Sequence, residues 1–450
     1  MIRFKRSGLL VGASAAAIVA GALSSSAAFA STATVKSDGD ARFTTQGGVP
    51  LQFLAGARTI PHWTFQYTDP SNGTTYPITM VGNDPKGGLP STVHTVIIPL
   101  KMNFIAAGQN TSVLNDIGYT GFRATPLSHS FDGSSKVTAT LASPVFSDYT
   151  NPSDMGGDTG QVGDTFMRSQ FNKIGSTYHV KLVNDSVAPL QTLDVPANHG
   201  IAYVRPVPAW RMAHGLQTVP DVTGVADVQW FSVQLQKLMT SLHVDATTLP
   251  IFLTDNVLLY QVTYDNCCIL GYHGSGSEMP NSHGTGSVNG KGNQPVQTYA
   301  YAAYTTPGTY SGFLADYLNP TRQAPSPTRG LSDIHALSHE ISEWLDDPFT
   351  NNAVQPWLTP TAPQYGCTRL LEVGDPVVGV WFGLNGNIFD GAKAYNQWHP
   401  EDEVFAQWFG RGGVEAAGYH SYTNRLTFMG ARTTSINAAY AGFGSYATGC

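Results

Sequence analysis

The sequence predicts an α+β protein in which a mixed sheet carries one functionally placed helix. Three observations predict this. Segments dense in β-branched and aromatic residues recur at 92–104, 248–254, 257–263 and 297–305, the composition of buried strands. Helical spacing of apolar residues occurs in two separated places, 225–242 and the stretch that ends at Pro348. The order of strands, helix, strands and helix, with no internal repeat, fits a sheet with helices packed on it rather than a bundle or a solenoid.

Taken along the chain, residues 1–30 read as a secretory signal peptide. Arg3, Lys5 and Arg6 form the basic start, an apolar run follows from Leu9 to about Leu23, and Ala28-Phe29-Ala30 before Ser31 is a small-x-small cleavage site. The apolar run is short for a membrane span, and no later segment is long and apolar enough to cross one. The mature protein is therefore expected to be exported and soluble, in an extracellular or periplasmic setting. Residues 31–245 read as a β-rich N-terminal region. Within it, 31–90 is rich in Gly, Thr and Pro with weak periodicity, and is either an N-terminal extension or a pro-segment.

The first convincing strand is 92–104, with Pro99 marking an edge or a bulge. Residues 137–141 and 177–183 read as further strands, with a helix at 164–171 between them. In the helix at 225–242, Val228, Phe231, Leu235 and Leu238 share one side. Residues 246–450 read as a metal-binding region. It opens with strands 248–254 and 257–263, split by an Asp255-Asn256 turn, and continues through strand 297–305 to the motif helix. Ser332 or Asp333 is placed to cap that helix, and Pro348 closes it.

Composition limits the partners. Only 12% of residues are charged, and the formal charge is −7. Loss of residues 1–30 removes three basic groups and no acidic ones, giving −10. This acidity argues against nucleic acid as a partner. The four cysteines, Cys267, Cys268, Cys367 and Cys450, are expected to form disulfides after export. Adjacent Cys267 and Cys268 would need a strained ring to pair with each other, so each is expected to bridge to Cys367 or Cys450.

The chemistry concentrates in His335-Ala-Leu-Ser-His339-Glu340-Ile-Ser-Glu343-Trp-Leu-Asp-Asp-Pro348. On a helix, His335, His339 and Glu343 lie on one face at four-residue intervals, with Glu340 beside His339. That is the arrangement of a zincin active-site helix, with glutamate where the second histidine usually stands. Three ligands at i, i+4 and i+8 on a straight helix span about 12 Å, so all three cannot reach one ion. His339 and Glu343 therefore need a distal ligand, and Glu372 in Leu371-Glu-Val-Gly-Asp375 is the best placed. Asp375 and His335 are then expected outside the ligand set, with Asp375 orienting His339 through its other ring nitrogen. Glu340 is the expected general base. Zinc is the first choice of metal, and the carboxylate-rich ligand set makes other divalent ions competitive.

The segment Leu337–Pro348, then Trp357, then Glu372-Val-Gly-Asp375, resembles secreted bacterial zincin-like proteins with a His-Glu-x-x-Glu motif. It is similar, more loosely, to the EXORDIUM/phosphate-induced proteins of plants. Cys268-Ile-Leu-Gly-Tyr-His273 resembles a Cys-Gly-x-His-like element of that family, with Ile-Leu inserted between Cys268 and Gly271. The resemblance covers about residues 249–410. It implies a zincin-type fold and a metal site using His339, Glu343 and Glu372. The insertion departs from the plant pattern at His273, which reads as a loop histidine held by backbone contacts. Two functions are compatible with these features. One is a secreted metal-dependent peptidase or hydrolase acting on extracellular protein or peptide. The other is a non-catalytic extracellular module with a structural metal, binding cell-surface polymer through tryptophans such as Trp344, Trp357, Trp381, Trp398 and Trp408. A Cys/His nucleophile built from Cys267 or Cys268 with His273 fits an oxidising compartment poorly.

Overall fold

The computed structural model describes residues 51, 54–106, 112–116, 119–151, 156–205, 221–264, 267–276, 295–305, 334–357, 368–377, 384, 398–410, 421 and 426–429. Residues 1–30, expected to be a signal peptide, the expected capping residues Ser332 and Asp333, Trp381 and the side chains of all four cysteines lie outside these residues. The chain begins with β1 (His62–Thr68), β2 (Thr75–Val81), β3 (Ser91–Phe104), β4 (Ser112–Asp116), β5 (Tyr119–Ala124) and β6 (His129–Asp132). There follow α1 (Val137–Ala142), β7 (Tyr149–Thr150), β8 (Thr159–Gly160) and α2 (Val162–Gln170). Next come β9 (Val180–Val187), β10 (Gln191–Val195), β11 (Gly200–Arg205), β12 (Asp221–Asp227) and α3 (Val228–Ser241). The remainder holds β13 (Thr248–Asp255), β14 (Val257–Tyr260), β15 (Cys267–Ile269), β16 (Gly271–Gly276), β17 (Gln297–Tyr304), α4 (His335–Asp346), β18 (Ala353–Trp357), β19 (Thr368–Leu370) and α5 (Ala406–Phe409). The protein is thus a mixed α/β structure with several sheets and few helices.

The principal sheet has seven strands along the path β10-β3-β13-β17-β16, with β6 and β9 also paired to β3. Strands β3, β13 and β17 run parallel, and β16 closes the path antiparallel to β17. Leu249, Ile251, Phe252 and Leu253 of β13 are all fully buried, the continuous apolar run expected of a parallel strand covered on both faces. Pro99 is not at an edge. Pairing of β3 with β9 stops at Ile97, pairing with β10 starts at Leu100, and Pro99 falls in this break. A residue without an N–H suits such a gap in the ladder. The division between residues 245 and 246 does not separate two sheets, because β3 pairs with β13 and β12 pairs with β14 across it.

Alternation along β16 and β17 fixes which helix covers which face. Tyr272 shares a hydrogen bond with Ser232 of α3, and Tyr301 stacks edge-on against Phe231 of the same helix at 4.8 Å. Successive residues of a strand face opposite ways. Gly271, His273 and Ser275 therefore face the other side, where α4 lies. Ser275 Oγ donates to the Phe349 carbonyl just beyond that helix at 2.9 Å. In β17, the tyrosines at 299 and 301 fill the α3 side, while Ala300 and Ala302 leave room for α4 on the other.

Helix α4 is buried along its whole length, with Leu337, Ile341, Trp344 and Leu345 among its core residues. Its N-cap is Ile334, which makes no side-chain capping bond, and it ends two residues before Pro348. The N-terminal hairpin packs on this helix. Ile78, Met80 and Val81 are core residues, so the described part of 31–90 contributes to the same core as the motif. Asn352 joins the two. Its Oδ1 accepts from Thr79 N at 2.8 Å, and its Nδ2 donates to Thr79 O at 2.7 Å and to Asp346 O at 2.6 Å.

Two local expectations need correction. Residues 137–141 form a helix, not a strand. Asp132 accepts from Ser134 N and starts a short 3-10 turn, which α1 continues, so local capping outweighs the strand propensity of Val137 and Thr138. The helix read over 225–242 starts at Val228, because Asp227 caps it by accepting from Gln229 N and Trp230 N, and Val225 belongs to β12. No helix among the described residues is long and apolar enough to cross a membrane. Asn352→Ala orphans one buried backbone donor and two acceptors. It is expected to lower the unfolding free energy by about 2 kcal/mol or more in a denaturant titration, whereas Thr79→Ala keeps those backbone groups paired and is expected to cost less.

Candidate metal centre

Three segments converge on the face of α4 that carries the motif: β16, the turn at 371–377, and the segment 398–405. Each is held by backbone bonds. Asp375 N and Gly374 N both donate to Glu343 Oε1 at 3.3 Å. Val404 N donates to Val373 O at 2.8 Å, and Glu401 N donates to Ser338 Oγ at 2.9 Å. Two glycines allow the close approach. A Cβ on Gly271 would stand 2.6 Å from Glu340 Cγ, and one on Gly374 would run into the His339 ring. A side chain at either position would push a site residue out of place.

The geometry around His339 is asymmetric. Its Nε2 lies 3.1 Å from Glu343 Oε1 and 3.8 Å from Asp375 Oδ1, while its Nδ1 lies 3.2 Å from Glu401 Oε2. His339, Glu343 and Asp375 can present ligand atoms all within 4.8 Å of one another. Asp375 therefore lies beside Glu343 on the Nε2 side of His339, and Glu401, not Asp375, meets the other ring nitrogen. The reason is geometric, since the 371–377 turn delivers Asp375 and the Glu343 oxygen to the same side of the imidazole.

A second group forms around His273, whose Nδ1 lies 3.5 Å from Glu340 Oε2 and 3.7 Å from Glu343 Oε2. These three also present ligand atoms within 4.8 Å of one another. His273 is not a loop residue. It sits in β16, where its Nε2 lies 3.1 Å from the Asp347 carbonyl. Glu372 joins this side rather than the other, with Oε2 3.9 Å from His273 Nε2. His335 is buried one turn before His339 and belongs to neither group.

Buried His and Glu groups here could hold a metal ion, and the charge balance favours one. Glu340, Glu343, Asp346, Asp347, Glu372, Asp375, Glu401, Asp402 and Glu403 are all buried, and no lysine or arginine is buried in these segments. One oxygen each of Glu340, Glu343 and Glu372 has no hydrogen-bond partner, nor does His273 Nδ1. Unpaired buried carboxylates are costly unless protonated or bound to a cation. Burial, reinforced by Glu343, pushes the Glu340 carboxyl up to about 7 against the pull of His273. Burial likewise raises Asp347 to about 7 and raises Glu372 and Glu403 well above the carboxylate range. Burial also opposes ionisation of Glu343, yet His339 and His273 outweigh it and hold that group low. For both histidines burial favours the neutral ring, but Glu343 and Glu401 beside His339, and Glu340 and Glu343 beside His273, raise them.

Trp344, Trp357 and Trp408 are buried in the core and offer no stacking surface for sugar, while Trp398 is partly buried. Glu401 and His273 are the site residues that sequence reasoning missed or misread. The dense acidic run Glu401-Asp402-Glu403, in a chain with few charges, was the available signal for the first. No protein-family model, curated protein or solved structure matches the chain.

The shifts give a pH dependence of definite sign. Carboxyls raised in the fold, such as Glu340, favour folding below their unfolded value of about 4.3, and that stability is lost as pH climbs through about 7. The raised histidines act in the same direction, losing their contribution as pH rises through their folded values. Glu343 runs the other way, as do Asp132 and Asp245 outside the site, their contribution lost only as pH falls below the usual carboxylate range. In chelator, the melting temperature is thus expected to fall between about pH 5 and pH 8, and added zinc is expected to flatten that decline because the cation replaces protons on the same ligands. Differential scanning calorimetry across that range, with and without zinc, checks both.

Proposed function

We propose that the protein is a secreted, zincin-like, metal-dependent hydrolase acting on extracellular protein or peptide. The observation that carries this reading is the excess of buried carboxylates around His339 and His273, with oxygens of Glu340, Glu343 and Glu372 lacking hydrogen-bond partners. One nitrogen and several oxygens suit a divalent ion of intermediate or hard character, so zinc is the first choice and manganese a competitor. His339, Glu343 and Asp375 would hold it, with Glu401 fixing the imbidazole orientation through Nδ1. A bound divalent cation supplies Lewis-acid polarisation of a carbonyl and acidifies water.

Glu340 acts on the proton. Its carboxyl is pushed up to about 7, which matches a group that accepts a proton from attacking water and returns it to a leaving amine near neutral pH. His273, 3.5 Å away, faces the carboxylate and favours its ionised form. A second reading, a non-catalytic extracellular module with a structural metal that binds cell-surface polymer, is favoured by one observation. His339, Glu340 and Glu343 are only 4%, 3% and 0% exposed.

Metal analysis and a broad peptide library separate the two. Wild-type protein is expected to hydrolyse peptides, to stop in chelator and to recover with zinc. Glu340→Gln is expected to keep a cation at His339, Glu343 and Asp375 while losing about 100-fold or more in rate. Bound metal with no hydrolysis by the wild type, together with glycan-array binding unaffected by Glu340→Gln, would establish the second reading instead.

A further inference from the structure

The two oxygens of Glu343 point to different partners. Oε1 faces His339 Nε2 at 3.1 Å, and Oε2 faces His273 Nδ1 at 3.7 Å. The carboxylate is fully buried, and long bonds from Gly374 N and Asp375 N to Oε1 fix its orientation. On each side the oxygen meets one histidine nitrogen and one further carboxylate: Asp375 Oδ1 on the first, Glu340 Oε2 on the second. Either trio is compact enough to surround an ion. On the second side, Glu343 Oε2, Glu340 Oε2 and His273 Nδ1 are each buried and lack a hydrogen-bond partner, although they face one another.

We propose that the centre takes two divalent cations bridged by Glu343, the first held by His339, Glu343 and Asp375 and the second by His273, Glu340 and Glu343. This rests on the reading that the site binds metal at all. A carboxylate bridging through its two oxygens places the ions about 3.5–4 Å apart, the spacing of two-metal hydrolytic centres. Glu372 lies outside this trio, with Oε2 3.9 Å from His273 Nε2, the ring nitrogen that does not face Glu340 and Glu343. Two carboxylates and one imidazole around that position suit zinc or manganese in ligand type. The role of Glu340 then depends on occupancy: it is a free base with one cation bound and a ligand with two.

The decisive measurement is metal stoichiometry of the full chain, loaded with zinc or manganese alone and freed of loose ions. Wild type is expected to retain about two ions per chain, and His273→Ala about one. Glu340→Gln, nearly isosteric, is expected to behave as His273→Ala does and serves if that variant fails to fold. In manganese-loaded wild type, the electron paramagnetic resonance spectrum is expected to show an exchange-coupled pair, a readout that needs no variant. About one ion per chain in the wild type, with the six-line spectrum of isolated manganese, overturns the second cation and leaves the single-metal reading standing. Two ions retained in both variants overturn the assignment to His273 and Glu340. No retained metal in the wild type overturns both readings together.

Discussion

Glu343 sits at the middle of a buried helix, fully shielded from water, and its surroundings hold its carboxyl below the usual carboxylate range. Such a group is tolerated only where positive charge and donors surround it. Two histidines, from β16 and from its own helix, and two backbone N–H groups from the 371–377 turn supply that surrounding. Much of the local architecture follows from this requirement. The turn must come close enough to donate, so Gly374 lies against the His339 ring; β16 must bring His273 to the same carboxylate, so Gly271 lies against Glu340.

The principal sheet provides the platform on which that requirement is met. Tyr299 and Tyr301 of β17 lie on the face under α3, and Ala300 and Ala302 lie on the face under α4. A helix over small residues packs near the sheet, which is what lets side chains from β16 and α4 meet within ligand distance. The N-terminal hairpin completes the enclosure from a distant part of the sequence, fastened through Asn352 to the end of α4. Folding of residues before 90 and integrity of the motif helix are therefore coupled, although 273 positions separate Thr79 from Asn352.

What was legible in the sequence follows the range of the interactions. The motif helix could be read because His335, His339, Glu340 and Glu343 fall within three turns and Pro348 stops the chain. Strands β3, β13 and β17 were legible because parallel strands buried on both faces need continuous apolar residues. The 137–141 segment was misread because a cap five residues earlier, at Asp132, decided its conformation. Glu372 and Asp375 were found together, but their roles were not, since one residue step in a turn decides which imidazole each carboxylate meets. Glu401 lies 62 residues from His339, and no local pattern could announce that contact.

The sharing of one glutamate between two histidines also bears on why the motif carries Glu343 where a histidine is more usual. An imidazole at that position would have one nitrogen directed at the cluster and the other turned away from it. A carboxylate offers two equivalent oxygens diverging from one carbon, and here they address His339 and His273 separately. Replacing it with histidine would leave one of the two groups without its common member and would add a positive charge beside two others when protonated. The glutamate is thus matched to its surroundings in number of donor atoms, in direction and in charge, and the same property makes the site depend on β16 as much as on the helix that carries the motif.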